Sequence, residues 1–436
     1  MSTTSNWINL KISDVFAASC PGDWGTDGTP EDGVPVLRST NFRNNGSLNY
    51  TDLVYRKIEK SRLAKRQVTR GSVLIEKSGG GPSQPAGRVV YCDSDFSGTA
   101  SNFVEVVKIK EEFNPQYIAF LLYRLYHDGL VLKYQQQTTG IINFKLNEYA
   151  DEQISLPSSK PEQTKIAEIL STVDRAIDQT EALIAKQQRL KTGLMQDLLT
   201  RGIDEHGNLR SEQTHKFKDS PLGRIPVEWE FTNFGRVLSQ SGGHIQTGPF
   251  GSQLHSDEYV SEGVPVVMPQ DINRGMISTI KIARITEPRA NSLLRHRMHQ
   301  GDLVFARRGD LSRCAVIRDS EEGWLCGTGC LLMRPPTKVL SPRWTSETYQ
   351  FFTTQLQVDI NAVGSTMPNL NTGILSSLQL ALPSITEQKR IEERLNAAED
   401  DESRVTTTLN KLHSLKTALM QDLLTGRKRV TELLNE

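Results

Sequence analysis

The stretch LKTGLMQDLLTRG (190–202) returns as LKTALMQDLLTGR (415–427), with ten of thirteen aligned positions identical at a shift of 225 residues. The match extends backwards without a gap to EQTKIAEIL (162–170) and EQKRIEERL (387–395). Both copies follow a Leu-Pro, in ISLPSSKPEQ and LALPSITEQ. Steps of four and three through the first copy select Ile166, Leu170, Val173, Ile177, Thr180, Ile184, Gln187, Lys191, Leu194 and Leu198. The same positions in the second copy are Ile391, Leu395, Ala398, Glu402, Val405, Leu409, Leu412, Lys416, Leu419 and Leu423. That is an a/d heptad seam sustained over four to five heptads. Pro161 suits a first helical turn, and Gly202 and Gly426 suit helix stops. A helix of about 38 residues at ~1.5 Å per residue is roughly 57 Å long. With one apolar stripe it needs a partner, and the other copy is the obvious one. If a twofold axis relates the halves, the two helices run antiparallel, and the polar seam residues Thr180, Gln187, Lys191, Glu402 and Lys416 set the register.

The duplication continues outside the helices. GVPVLRSTNF (33–42) matches GVPVVMPQDI (263–272), and GSVLIEKS (71–78) matches GDLVFARR (301–308), both at a shift of 230. GTASNF (98–103) matches GTGCLL (327–332) more loosely. Short apolar runs bounded by Gly read as strands. NPQYIAFLLYRLYHDG (114–129) and SPRWTSETYQFFTTQL (341–356) carry helical spacing, and their aromatics read as core. The expectation is an α+β chain: two tandem α/β domains joined by two long helices that form an antiparallel coiled-coil spacer with pseudo-twofold symmetry.

With 436 residues, either half is long enough to bury a core. No apolar run approaches a membrane span, and MSTTSNWINLKISD has no signal-peptide pattern. Five scattered cysteines fit a reducing cytoplasm. The net charge is zero, which alone argues against nucleic acid, but the charge is unevenly placed. RKIEKSRLAKRQVTR (56–70) holds seven Lys/Arg against Glu59, and residues 284–308 hold six Arg against Glu287 and Asp302. Phosphate binding depends on charge at the contact face rather than on the total.

Catalytic sets are missing from the pattern. SGGGPSQPAG (78–87) lacks the lysine of a phosphate cradle. His296, His299, Cys314, Cys326 and Cys330 match no standard zinc spacing, so no metal site is assigned. LLMRPPTK (331–338) has Arg334 and Thr337 where an amino-methyltransferase motif needs an acid or amide and an aromatic. A long duplicated chain without a catalytic set reads as a binder.

The ordered pieces Gly263–Val266, Gly301–Phe305, Gly364–Leu370, Leu382–Pro383, Glu387–Gln388 and Leu415–Gly426 resemble the DNA specificity subunit of type I restriction–modification systems. PLGRIPVEWE (221–230) and IQTGPFGSQLH (245–255) resemble the start of that family's second recognition domain. The first half departs: SCPGDWGTDG (19–28) stands where Gly-Pro-Phe-Gly is expected, and TTGIINF (138–144) stands in place of GSTMPNL (364–370). The resemblance implies a first target recognition domain at 1–157, a central conserved helical region at 158–202, a second recognition domain at 203–383 and a C-terminal helical region at 384–436. It further implies a non-catalytic bacterial or archaeal cytoplasmic subunit. That subunit reads a bipartite asymmetric site in double-stranded DNA with a non-specific gap, and it docks two methylation subunits and restriction subunits. S-adenosylmethionine, ATP and Mg are then expected in those partners, with no cofactor in this chain.

Arg and Lys read guanine, and Asn and Gln read adenine, so polar residues after the repeated strands are candidate base contacts. They are Arg38, Thr40 and Asn41, then Gln270, Asn273 and Arg274. The following loops add Lys77, Ser78 and Gln84, and Arg307, Arg308, Asp310 and Arg313. YQQQTTG (134–140) adds Gln136, Thr138 and Thr139, matched by Ser365, Thr366 and Asn369. Lys65, Arg66, Arg70, Arg295 and Arg297 are candidate phosphate contacts. The recurrent Met195, Gln196, Asp197 and Met420, Gln421, Asp422 are candidate docking residues for the two methylation subunits. Two other readings stay open: the specificity subunit of a type IIB system, and a tandem coiled-coil scaffold that does not touch DNA.

Overall fold

The computed structural model describes residues 7–81, 84–138, 141–273, 275–362 and 368–434. They form two compact units, Met1–Leu183 with Val405–Glu436, and Ile184–Arg404. Each unit is a mixed head with a stretch of both long helices packed on it, so the units cut across the four-part division expected from the sequence.

The first head is built on a four-stranded antiparallel sheet in the order Phe16–Pro21, Val104–Ile109, Val73–Glu76, Val89–Tyr91. The run VLIE is buried at every position, as a central strand covered on both faces must be. A second sheet runs Thr26–Asp27, Val54–Lys57, Val34–Leu37, Thr99–Ala100, with the last pair parallel. Trp7–Lys11 pairs with Gln153–Pro157, so the chain enters and leaves the head side by side. The helix Pro115–His127 is capped by Asn114, whose side chain accepts from Tyr117 N, and it buries Tyr117, Ile118, Leu121 and Leu122.

The second head repeats this plan. Its four-stranded sheet runs His244–Thr247, Cys330–Arg334, Leu303–Ala306, Cys314–Val316. Its second sheet runs Ala283–Ile285, Val264–Val267, Leu325–Cys326, again with the last pair parallel. Glu230–Asn233 pairs with Gln379–Leu382. The heads differ after the first helix. The first head has the hairpin Gln135–Thr138/Ile141–Phe144, while the second has a further helix, Phe352–Ala362, following Pro342–Gln350.

The long helices are Lys160–Thr200 and Ile385–Leu423. Glu162 meets Arg429 and Asp174 meets Lys416, so in the first unit the two helices are antiparallel. In the second unit Gln188 and Lys191 meet Glu402 and Glu399, again antiparallel. The heptad seam matches the burial pattern: Ile166, Leu170, Val173 and Ile177 are buried, as are Leu198, Ile391, Leu395 and Leu423. Ile184, Leu194, Val405, Leu409, Leu412 and Leu419 are half-buried, and of these Leu419 packs against the first head's core and Leu194 against the second head's. Ile166, Leu170, Met420, Leu423 and Leu424 belong to the first head's core, and Leu198, Ile391 and Leu395 to the second head's. Among the polar seam residues Thr180, Lys191, Glu402 and Lys416 find partners in different ways, whereas Gln187 Oε1 is buried without a hydrogen bond to a described residue. Lys416 Nζ lies 2.7 Å from Asp174, 3.1 Å from the Asn45 carbonyl and over the Tyr123 ring. Burial pushes the Asp174 carboxyl up against the pull of that lysine. Lys191 lies 3.0 Å from Glu399, and the Thr180 hydroxyl donates to the Ala176 carbonyl of its own helix.

The repeated Glu-Gln pair has a structural role that its sequence did not disclose. Gln163 accepts from Asn114 N at 2.8 Å and donates to the Pro157 carbonyl at 2.8 Å. Gln388 does the same with Ser341 N and the Pro383 carbonyl, at 2.8 and 2.9 Å. Each glutamine thereby ties the Leu-Pro entry to the head's own helix. Each glutamate holds an arginine just past the end of the other long helix: Glu162 takes Arg429 in a two-point bond, and Glu387 takes Arg210. Gly202 and Gly426 adopt φ +65° and +73°, and a Cβ there would strike Trp229 and Trp7 respectively. Each head therefore closes a tryptophan on the glycine that ends a long helix.

This packing takes Met420, but not the half-buried Met195, away from the surface. Met420 is 7% exposed inside the first head's core, and Met195 packs against the second head's core. Gln196 is exposed and Gln421 half-buried. Asp197 pairs with Arg201 at 3.4 Å and Asp422 with Lys428 at 2.7 Å.

Candidate nucleic-acid interface

In each head the strand repeated in the sequence as GSVLIEKS or GDLVFARR carries its last residues to one end of the four-stranded sheet. In the second head Arg307 N donates to the Gly329 carbonyl, and the Arg307 carbonyl accepts from Leu370 N. Arg307 Nε donates to Asn369 Oδ1 at 3.1 Å. Arg308 is exposed and makes no ion pair with a described residue. The hairpin turn that follows is folded by Asp310, which accepts from Ser312 and is held below the usual carboxylate range by that hydroxyl. Asp310 also pairs with Arg313 at 3.3 Å. Arg313 then reaches the Ile272 carbonyl at 3.3 Å, fixing the 3-10 turn Pro269–Asp271 beside the hairpin. Gln270 and Asn273 stand exposed on and after that turn. One end of the second head thus gathers Gln270, Asn273, Arg307, Arg308, Asp310, Arg313 and Asn369.

The first head builds the same end from different side chains. Lys77 N donates to the Phe103 carbonyl, and the Lys77 carbonyl accepts from Phe144 N. Ser78 Oγ donates to Asn143 Oδ1 at 2.6 Å, and Asn143 lies opposite Gln136 across the hairpin. Lys77 is neutralised by Glu105 at 3.0 Å. Gln84 donates to Asn44 Oδ1 at 2.7 Å. Arg88 forms a buried pair with Glu76 and donates to the Ser39 and Phe42 carbonyls, fixing the 3-10 turn Ser39–Asn41. Arg88 therefore does for the first head what Arg313 does for the second. Both arginines stand immediately before a core strand, at the same shift of 225 as the helices, and that signal was present in the sequence. Asn143, in the run TTGIINF, occupies the place of Asn369 beside the strand end.

Other candidates fall elsewhere. Asn41 is 1% exposed, its Oδ1 accepting from Arg38 N and its Nδ2 donating to the Asn49 and Asp52 carbonyls, so it folds the turn and offers nothing to a base. Thr40 is exposed, but Arg38 is tied to Asp52 at 2.8 Å. Arg70, paired with Asp95 at 2.9 Å, flanks the opposite end of the strand Val73–Glu76 from Lys77. Arg297 is held by Asn291 and the Gly323 carbonyl and pairs with Glu287, and so is spent inside the second head. Arg295 is exposed, its carbonyl accepting from Gln246. Lys65 and Arg66 lie on the helix Lys60–Arg66, beside the loop after Pro21. Thr139, Arg274, Ser365 and Thr366, and the side chain of Thr138, lie outside the described residues. Among the described residues no cluster of His, Cys, Asp or Glu could hold a metal ion, and no helix is long and apolar enough to cross a membrane.

Two heads of one plan, each ending in a polar rim and each carried on a long helix, define a tandem binding module. A family model described as the type I restriction modification DNA specificity domain matches residues 4–188 and again 252–413. The chain belongs to that family. It is 24% identical over 337 residues to the type I restriction enzyme MjaVIII specificity subunit of Methanocaldococcus jannaschii, covering 75% of this chain and 74% of that protein. It is 22% identical over 436 residues to the putative type I restriction enzyme MjaX specificity subunit of the same organism, covering 98% and 94%. Its fold is similar to the crystal structure of the type I restriction-modification system S subunit from M. genitalium, with a TM-score of 0.57 at 16% identity over 97% of each chain.

Proposed function

We propose that this chain is the DNA-recognition subunit of a type I restriction–modification complex and that it reads a two-part asymmetric site through its two heads. The supporting observation is the rim itself: the same backbone frame, locked by Arg88 or Arg313, presents different side chains in the two heads. A frame that is constant while its tips vary suits a reader of two unlike half-sites. The antiparallel helix pair serves as the spacer between half-sites, arranged with pseudo-twofold symmetry, and its exposed faces dock two methylation subunits, with restriction subunits joining the assembly. Met195, Gln196, Asp197, Gln421 and Asp422 remain the docking candidates. S-adenosylmethionine, ATP and Mg act in those partner subunits, and this chain supplies address rather than chemistry. A scaffold that does not touch DNA accounts for the helices but not for a family match that spans both heads.

The test is to express the chain with its methylation subunit and map modified adenines across a genome. A two-part sequence with a fixed gap is expected. A single continuous site, or modification without sequence preference, overturns the reading. Inserting four residues into either long helix is expected to lengthen the gap or abolish modification; an unchanged gap removes the spacer role.

A further inference from the structure

The strand Leu303–Ala306 runs out into Arg307, whose backbone is pinned on both sides. Its N donates to the Gly329 carbonyl at 2.8 Å, and its carbonyl accepts from Leu370 N at 3.0 Å. Asn369 directly precedes Leu370, so the second bond also fixes where the Asn369 side chain starts. Arg307 Nε donates to Asn369 Oδ1 at 3.1 Å. Because Nε can only donate, the amide oxygen is the atom that faces it. Among the described residues, neither Nη1 nor Nη2 of Arg307 has a hydrogen-bond partner, and no acid pairs with it.

The first head has the same parts and uses them otherwise. Lys77 stands in the place of Arg307, with the matching backbone bonds to Phe103 and Phe144. The register that follows puts Glu105 in the place of Leu331. The buried Glu105 takes Lys77 Nζ at 3.0 Å, whereas Leu331 belongs to the second head's core and offers a cation nothing. Asn143 stands in the place of Asn369, but its Oδ1 accepts from Ser78 Oγ at 2.6 Å. The asparagine is thus common to both rims. What it holds differs: a hydroxyl in the first head, a guanidinium without an acid in the second.

An arginine on the surface loses much rotamer freedom when it meets a base. Asn369 reduces that loss by holding the guanidinium plane before DNA arrives. With Nε occupied, the edge left to a ligand is the terminal one, Nη1 with Nη2, which carries donors and no acceptor. That edge fits the O6 and N7 acceptors of guanine, whereas adenine sets its N6 donor where guanine has O6. We propose that Asn369 is the positioning residue for guanine selection in the second head's half-site. It meets no base itself and acts by aiming the fork of Arg307. The proposal rests on the DNA-reading function above and deepens it, because it places part of the specificity in a residue that does not touch DNA.

The test takes the chain assembled with its methylation subunit and measures binding, at fixed salt, to duplexes in which each position of the modified sequence is varied in turn. Arg307→Ala identifies the position: guanine in wild type, with its preference relaxed about tenfold or more. Asn369→Ala is expected to relax the same position by about three- to tenfold, and to leave every other position and the melting temperature as in wild type. Added to Arg307→Ala it is expected to change nothing further there, because a residue that acts only through Arg307 has nothing left to act on. Should Asn369→Ala fail to assemble, Asn369→Leu, which keeps the volume, is read in its place. A further loss in the double variant would mean that Asn369 meets the base directly. A loss spread over the whole half-site, with a lower melting temperature, would mean that it only holds the rim together. Either result overturns the proposal, as does an unaltered guanine preference in Asn369→Ala, or no relaxed position in Arg307→Ala, while the bipartite reading stands. If wild type itself modifies no defined sequence, the bipartite reading has failed, and the proposal falls with it.

Discussion

The ends of the two heads share a backbone and differ in charge. At the first, Lys77 is answered by Glu105 and Arg88 by Glu76, leaving the amides and hydroxyls of Ser78, Asn143 and Gln136 at the rim. At the second, among the described residues, Arg307 bonds only to the Asn369 side chain and Arg308 has no acidic partner. The same frame thus offers neutral donors and acceptors on one head and cations on the other. Amides match adenine and guanidinium matches guanine, so the half-sites are expected to differ in base content, with guanine in the half read by the second head. The comparison teaches that duplication preserved what shapes the rim and released what the rim displays.

The glutamate clamps give the sharpest way to break the likeness. Arg210 and Glu387 are both nearly buried, whereas Arg429 is 30% exposed beside the buried Glu162. Removing one partner of a buried pair strands the other, at a cost of about 3–5 kcal/mol. Glu387→Ala is therefore expected to destabilise the second unit by that order. Glu162→Ala should cost the first unit less, because Arg429 recovers water. Hydrogen exchange read separately over the two units checks this; equal losses would mean that burial does not decide the clamp's worth. The methionines form the next pair. Met420→Ala opens a cavity in a closed core and is expected to cost about 2–5 kcal/mol. Met195→Ala, at a half-buried position, should cost clearly less in the same measurement.

What could be read in the sequence follows from how local each signal is. The heptad seam is a one-dimensional repeat without a gap, so Ile166 to Leu198 and Ile391 to Leu423 announce the helix pair directly. The strands Val34–Leu37 and Val264–Val267 are legible for the same reason. The clamps are not, because Arg210 and Arg429 lie 219 residues apart rather than 225, beyond a loop whose length differs between halves. Asn41 misleads because its polarity serves a turn, as does that of Asp271 in the second head, whose carboxylate accepts from Met268 N. The Gly-Asp-Trp-Gly loop hides its kinship with Gly-Pro-Phe-Gly because only the glycines and an aromatic are needed to rebuild the turn. Polar residues do two jobs, folding turns and meeting ligands, and only the fold separates Arg313, which holds a turn, from Arg308, which makes no ion pair with a described residue.

At the rim the comparison is tested by Arg307→Ala against Lys77→Ala. Loss of Arg307 is expected to relax one position of the second head's half-site, with a discrimination loss of about 1–3 kcal/mol. Lys77, already paired with Glu105, should matter less to its own half. Specific and mismatched duplexes compared at fixed salt give the difference. If Lys77→Ala proves the more damaging, the charge contrast between the heads is not what reads DNA.

The smallest expected effect concerns protons. His296 in the second head is 2% exposed, and burial, helped by the neighbouring Arg295, holds its imidazole below the ordinary histidine range. In the first head partial burial against Tyr123 and Tyr126, with Lys416, also lowers His127, but that residue is far more exposed than His296. A depressed folded value means that the unfolded chain binds the proton more readily. The contribution is therefore fully present above an unfolded value of about 6.5 and is lost as the pH falls through the folded value. Between about pH 7.5 and pH 5.5 the second unit should lose more protection against hydrogen exchange than the first, and His296→Gln should flatten that slope. An unchanged slope in His296→Gln would place the acid sensitivity elsewhere, and the heads would then differ in what they display but not in how they withstand acid.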